Sequence, residues 1–246
     1  MVMATYGGAL PMPSKTIASS TPTPAPKSAP VVSQEPGPHT SIRVLIDASG
    51  SMAGLVDATT ESTNGYFAEQ ASERGTVDVS VWTFSSSGTL TEILHSEPLK
   101  IPSPSGDGKL VLNPAARITS ENYKCGGGTA LNESLGTLLD ISVSTVAAMP
   151  EPPTHKIFVT VTDGEENSST GQFGGTQGQA LVRSWIEAAN KENGWEFVFL
   201  AANMDAQQVG SSYGFKPEAC TNFVASDEGV TRGMTTVSAY TSSLRA

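Results

Sequence analysis

Oxygen-bearing side chains at alternate positions follow the first apolar segment of the sequence. In "IRVLIDASGSMAGL", residues 42–55, Asp47, Ser49 and Ser51 come directly after the segment IRVLI. Alternate residues of extended backbone project to one side, so these three oxygens can converge on one point. Mg²⁺ is bound by oxygen ligands, of which only one or two are carboxylates. The run therefore predicts a cation site, although the same residue types also form tight turns and helix caps.

Two further segments of the chain offer side chains of the same chemistry. "CGGGTALNESL", residues 125–135, places Thr129 between three glycines and a helical pattern of apolar residues. "KIFVTVTDGEEN", residues 156–167, places Asp163 directly after another apolar segment. Ligands of open α/β sheets bind beyond the carboxyl ends of the strands. Both segments therefore strengthen the interpretation of the first run as part of a binding site.

In this order, the three segments resemble the three motif blocks of the von Willebrand factor A (vWA) domain. The resemblance covers about residues 40–246, and "WEFVFLAANMDA" is similar to a later strand of bacterial and phage members. In that family the motif residues form the metal-ion-dependent adhesion site, and the matching positions here are Asp47, Ser49, Ser51, Thr129 and Asp163. The implied ion is Mg²⁺, with Mn²⁺ or Ca²⁺ as alternatives.

The resemblance also implies a division of roles among these residues. Ser49 and Ser51 would bind the ion directly, and Thr129 would do so in a ligand-engaged state. Asp47 and Asp163 would act mainly through waters that they orient. One coordination position would stay open for an acidic side chain of a partner protein.

Other interpretations of the same segments are less well supported by the residues. Glu165 and Glu166 are interpreted as a solvated acidic loop, because charged side chains are mostly exposed, or as groups that tune cation affinity. They are left out of the predicted site. The glycines at 126–128 lack the lysine of a phosphate-binding loop, which argues against nucleotide binding.

Short apolar segments alternate with helical patterns along the chain from residue 40 onward. The predicted strands are 42–46, 77–84, 156–161 and 195–201, and the predicted helices are 55–73, 129–148, 177–193 and 227–244. Residues 77–84 and 85–95 read as an antiparallel hairpin at the edge of the sheet, and 98–124 as a surface insertion with a short strand at "KLVL". The pattern predicts an α/β fold: a doubly wound, mostly parallel sheet with an antiparallel edge strand and helices on both faces, of vWA or Rossmann-like type.

A segment rich in Pro, Ser and Thr precedes this domain. Residues 11–38 hold eight of the 16 prolines of the chain. We therefore predict an extended N-terminal arm at residues 1–38, which adds no helix or strand to the core, and a single domain at 39–246. Such an arm is either a passive linker or a segment that becomes ordered along a partner.

Composition narrows the range of partners and compartments. The 246 residues include 14 Lys and Arg against 24 Asp and Glu, a formal charge of −10, which disfavours nucleic acid. No apolar stretch approaches the roughly 20 residues of a membrane span, and no secretory signal is evident. Cys125 and Cys220 are interpreted as reduced thiols. These features indicate a cytoplasmic protein, or a virion protein if the chain is phage-encoded.

The leading hypothesis is a non-catalytic, divalent-metal-dependent protein–protein interaction module that acts within a larger assembly. The alternative is a structural component of a virion or other assembly, whose arm docks on neighbouring subunits. A metal-dependent hydrolase is the weaker rival, because the isolated histidines at 39, 95 and 155 provide no catalytic base beside the ion.

Overall fold

The computed structural model describes residues 37–246. The strands are β1 (His39–Asp47), β2 (Thr76–Phe84), β3 (Thr91–Pro98), β4 (Lys100–Pro102), β5 (Leu110–Leu112), β6 (His155–Thr162), β7 (Trp195–Ala202) and β8 (Cys220–Phe223). The helices are α1 (Val56–Ser72), α2 (Leu131–Ala147), α3 (Gly175–Asn193), α4 (Ala206–Ser212) and α5 (Asp227–Arg245). The arm predicted for residues 1–38 lies outside the described residues, apart from Gly37 and Pro38, which precede β1.

Six of the strands form one sheet in the order β3-β2-β1-β6-β7-β8. Every neighbouring pair is parallel except β2 and β3, so β3 is an antiparallel strand at the edge. The central strand β1 pairs with β2 from His39 to Asp47 and with β6 from Thr40 to Ile46. This arrangement confirms the predicted doubly wound α/β fold, and β4 and β5 form a separate antiparallel pair.

Both faces of the sheet are covered by helices, which is why β1 reads as a nearly continuous apolar run. Ile42, Val44 and Ile46 pack in one cluster with side chains of α1 and α5. Leu45, on the opposite face, packs in a second cluster with side chains of α2 and α3. The two clusters hold β1 rigidly, so residues at its carboxyl end have a fixed starting point.

The structure differs from the sequence prediction at a few boundaries. The first predicted helix, 55–73, begins instead with a 3-10 turn at Gly50–Leu55, and α1 follows from Val56. The strand predicted at "KLVL" is confirmed as β5. The short elements α4 and β8 had no counterpart in the prediction, because seven and four residues are too few to show a clear periodicity.

Two predictions about membranes and cysteines can be compared with the described residues. Within residues 37–246, no helix is long and apolar enough to cross a bilayer. Cys125 and Cys220 are both free, in agreement with the interpretation as reduced thiols.

Candidate metal centre

The candidate site lies at the carboxyl edge of the sheet, where the ends of β1 and β6 meet. Asp47 is the last residue of β1, and Asp163 directly follows β6. The two strands are parallel neighbours, with Ile46 opposite Val161 in the register. Thr162, the last residue of β6, donates a hydrogen bond of 2.6 Å to Asp47 Oδ2. The sheet therefore brings the two aspartates together although they are far apart in the sequence.

A continuous series of hydrogen bonds connects four of the five predicted site residues: Asp47, Ser49, Ser51 and Asp163. Ser49 Oγ lies 3.1 Å from Ser51 Oγ, and Ser51 Oγ donates to Asp163 Oδ1 over 2.7 Å. Ser51 is exposed, whereas Asp47, Ser49 and Asp163 are buried, at 0%, 2% and 4% exposure. Ser51 thus forms the solvent-facing side of a cluster whose other members are enclosed.

Thr129 reaches the same edge on the glycine-rich loop that precedes α2. Gly50 N donates to Gly127 O at 3.0 Å, which fixes this loop beside the Asp47 segment. A Cβ atom added to Gly164 would lie 3.1 Å from Thr129 Oγ1 and 3.9 Å from Ser51 Oγ. The Thr129 hydroxyl therefore lies in the same small space as the Ser51 hydroxyl, beside the residue that follows Asp163.

The two carboxylates are surrounded by hydrogen-bond donors but not by cations. Ser49 N donates a hydrogen bond of 2.7 Å to Asp47 Oδ1, and the Thr162 hydroxyl donates a hydrogen bond to Oδ2. Burial raises the pKa of Asp47 despite these hydrogen bonds, and the charge of Asp163 adds to the rise. Among the ion pairs within residues 37–246, none involves either aspartate. A buried pair of acids without a protein cation is an environment that a bound cation stabilises.

The residues present fit a hard divalent ion. The cluster offers two carboxylates and three hydroxyls, all of them oxygen donors, which suits Mg²⁺ or Mn²⁺ better than Zn²⁺. No group of three or more His, Cys, Asp or Glu side chains that could hold a metal occurs in the described part of the chain. Hydroxyls would thus have to supply most of the protein ligands at this edge.

Two residues that support the site could not be identified as such from the sequence. Tyr123, which is buried, donates 2.6 Å to the carbonyl oxygen of Asp47. Asn203 Nδ2 donates 3.0 Å to the carbonyl of Asp163, and its own φ of 58° is a left-handed conformation that Asn tolerates. An Asn at a strand end was the one available signal for Asn203, whereas the sequence around Tyr123 gives none.

The acidic loop after Asp163 requires a correction. Glu165 is exposed, as predicted. The interpretation is wrong for Glu166, whose carboxylate accepts hydrogen bonds from backbone N–H groups of its own loop and of α2. Helix N-termini leave such groups without partners, and a carboxylate satisfies them well.

Comparisons with known proteins agree with this architecture. No protein-family model matches the chain, and no curated protein sequence matches it. Among solved structures, proximal thread matrix protein 1 from the mussel byssus has a TM-score of 0.52 and 16% identity, covering 84% of this chain and 47% of its own. The pilus adhesin SpaC from Lactobacillus rhamnosus GG, in an open conformation, has a TM-score of 0.54 and 14% identity, covering 85% and 30%. The manganese-loaded TRAP protein of Plasmodium vivax has a TM-score of 0.49 and 12% identity, covering 81% and 73%.

The likenesses to the thread matrix protein and to the adhesin show the fold. The chain spans less than half the length of the thread matrix protein and less than a third of the adhesin. Together with the strand order of the sheet, they are consistent with an α/β fold of vWA or Rossmann-like type.

Proposed function

We propose that this chain is a non-catalytic, divalent-metal-dependent protein-interaction module. Asp47, Ser49, Ser51, Thr129 and Asp163 would hold the ion, which would be Mg²⁺, Mn²⁺ or Ca²⁺. The bound ion would supply a Lewis acid to which an acidic side chain of a partner protein coordinates. The partner would be a protein with an exposed Asp or Glu.

The observation that carries the proposal is the convergence of hydroxyls and acids at one edge. Ser51 Oγ and Asp163 Oδ1 are 2.7 Å apart although 112 positions separate them in the sequence. A fold does not need this contact for its core, because Ser51 is exposed and contributes no apolar packing. An exposed hydroxyl that contacts a buried acid, with a second buried acid nearby, favours a binding role.

Three residues of the cluster have roles that follow from their contacts. Both oxygens of Asp47 accept hydrogen bonds from the protein, so this residue is suited to orient other groups. Ser49 and Ser51 carry hydroxyls that face each other and can turn toward a common ion. The exposed position of Ser51 leaves a side open from which a partner's carboxylate can approach.

The structural neighbours support a protein partner over a small molecule. By their names, one is a pilus adhesin and the other a matrix protein of byssal threads. The names are those of an adhesion protein and of a matrix protein, and both share the fold of this chain. Membership in a larger assembly is proposed on the same basis.

Metal binding is tested by titrating the chain with Mn²⁺ and following free Mn²⁺ by electron paramagnetic resonance. We expect one site from which Mg²⁺ displaces Mn²⁺, and an affinity about 10–100-fold lower in Asp163→Asn. Asp140→Asn, at an exposed position of α2, is the control for the loss of one charge and should bind as the wild type does. A wild-type chain that binds neither ion at millimolar concentration would contradict the proposal.

Partner chemistry is tested with the Mn²⁺-loaded protein and short peptides. A peptide with an exposed Asp should displace water from the ion and lower the water-proton relaxivity, while the matched Asn peptide should not. Equal effects of the two peptides would contradict coordination by an acidic side chain.

A scaffold role within an assembly is the second candidate. It is favoured by β5, where the three consecutive apolar residues Leu110, Val111 and Leu112 are 57%, 38% and 55% exposed and form a contiguous apolar surface. A scaffold that uses this surface would assemble equally well in chelator, whereas the metal-dependent module would not.

A further inference from the structure

Glu166 connects the loop that follows β6 to the first turn of α2. Its Oε1 accepts from Ser168 N and Ser169 N at 2.9 and 2.7 Å, within its own loop. Its Oε2 accepts from Asn132 N at 2.7 Å, and also from Ser169 Oγ at 2.7 Å. The same carboxylate therefore bonds to two segments that are 34 positions apart in the sequence.

The residue after Glu166 continues this connection to the loop that carries Thr129. Thr129 N donates 2.8 Å to Asn167 Oδ1, and Asn167 N donates 2.9 Å to Thr129 O. Ser168 N also donates to Thr129 O, at 3.2 Å. A Cβ on Gly128 would lie only 2.8 Å from Asn167 Oδ1, so a larger residue at 128 would displace this side chain. We call Glu166, Asn167, Ser168 and Ser169 the clasp.

The helix α2 depends on the clasp because it has no side-chain cap of its own. Its N-cap residue, Ala130, has no side-chain oxygen. The N–H groups of Asn132 and Glu133 are instead satisfied from the loop after β6, by Glu166 Oε2 and by Ser169 Oγ at 3.0 Å. An acceptor that belongs to another loop fixes the start of α2 relative to that loop.

We infer that Glu166 is a positioning residue that sets the location of Thr129 relative to Asp163. The inference rests on the proposed function, since both residues belong to the candidate metal centre. Thr129 lies two residues before α2, and Asp163 lies three residues before Glu166. The clasp joins these two short segments by hydrogen bonds, so it limits how far the Thr129 hydroxyl can move from the aspartate.

The chemistry of the clasp requires a glutamate. Glutamine has one carbonyl oxygen and one NH₂ group. It therefore cannot accept hydrogen bonds both from Asn132 N and from the N–H groups of Ser168 and Ser169. Its NH₂ group would face an N–H group of Asn132 or of the Ser168–Ser169 segment. Glu166→Gln therefore removes the hydrogen bonds that one of the two carboxylate oxygens accepts, while it keeps the size of the side chain.

The neighbouring residue provides a matched control. Glu165 is exposed and makes no side-chain hydrogen bond within residues 37–246. Glu165→Gln removes the same charge one position away, so it reports the long-range electrostatic effect alone. Any difference between the two variants measures the hydrogen bonds of Glu166.

The clasp itself is tested in chelator by hydrogen–deuterium exchange. We expect residues 126–135 to exchange faster in Glu166→Gln than in the wild type and in Glu165→Gln. Equal exchange in the two variants would overturn the inference. This readout does not depend on metal, so it separates the failure of the clasp from the failure of the proposed function.

The link to Thr129 is tested by Mn²⁺ affinity in a double-mutant cycle. Glu166→Gln should weaken Mn²⁺ binding about tenfold, as loss of residues that orient ligands does, and Glu165→Gln should weaken it less. In a Thr129→Ala background, Glu166→Gln should have little further effect, because the residue it positions is gone. Additive losses, or an unchanged affinity in Glu166→Gln, would overturn the inference. A wild-type chain that binds no Mn²⁺ would instead overturn the proposed function.

Discussion

The two ends of β1 surround an acidic side chain in opposite ways. At the amino end, His39, Ser41 and Arg43 stand at alternate positions and converge on Asp78 of β2. His39 Nε2 lies 2.7 Å from the carboxylate and Arg43 donates to it over 3.0 Å. At the carboxyl end, three alternate residues again converge, but they are an acid and two serines.

The difference lies in where the positive charge comes from. The Asp78 carboxylate is neutralised by Arg43, whose side chain is only 4% exposed. Asp47 and Asp163 take part in no ion pair within the described part of the chain. The same strand thus builds a self-sufficient polar cluster at one end and a cluster that lacks a cation at the other. This contrast is the electrostatic basis of the proposed metal centre.

The largest effect is expected from Asp78→Ala, at the self-sufficient end. It leaves the buried Arg43 without its partner, which typically costs about 3–5 kcal/mol. Urea unfolding should show this loss in the free energy of unfolding, whereas Mn²⁺ affinity should stay as in the wild type. A loss below about 1 kcal/mol would mean that the charge of Arg43 does not depend on Asp78 as its partner.

Addition of a divalent ion should stabilise the other end. An ion present at 100 times its dissociation constant raises the free energy of unfolding by about 2.7 kcal/mol if it binds only the folded chain. Thermal unfolding in Mn²⁺ and in chelator measures the difference. In Asp163→Ala, an affinity about 10–100-fold lower should reduce this stabilisation to about 0.4–1.4 kcal/mol. A stabilisation as large as that of the wild type would place the ion elsewhere.

Tyr123→Phe should have a smaller effect. It removes the hydrogen bond to the carbonyl oxygen of Asp47, which contributes about 0.5–1.5 kcal/mol. The loss should appear in chelator and in Mn²⁺ alike, because the bond supports the backbone and not the ion. A loss confined to the Mn²⁺-bound chain would show that Tyr123 acts on the ion instead.

The smallest effect on stability is expected from Asp163→Asn in chelator. The amide oxygen still accepts from Ser51, and the repulsion between residue 163 and Asp47 disappears, so stability should change by less than about 0.5 kcal/mol. The same substitution at the other end, Asp78→Asn, should be clearly destabilising. Equal losses in the two variants by urea unfolding would erase the contrast between the two ends of β1.

The sequence predicted the parts of the molecule that depend on local pattern. The four long parallel strands appear as apolar runs, and the site residues follow the ends of two of them, so both could be identified. β8 could not, because "CTNF" includes polar residues at positions that are partly or fully exposed on an edge strand. Glu166 was misjudged for a different reason: its partner Asn132 becomes a neighbour only when the sheet is assembled.

β1 leaves the ribosome before either of the strands between which it will lie. β2 follows within a few dozen residues, but β6 is made more than a hundred residues after β1 begins. A nascent chain that ends before β6 already carries Asp47, Ser49 and Ser51, yet has neither Thr162 nor Asp163 to complete their surroundings. Contacts between distant segments form late, and a ligand set that is absent from the unfolded chain couples ion capture to folding. The proposed site could therefore take up an ion only once the sheet is nearly complete.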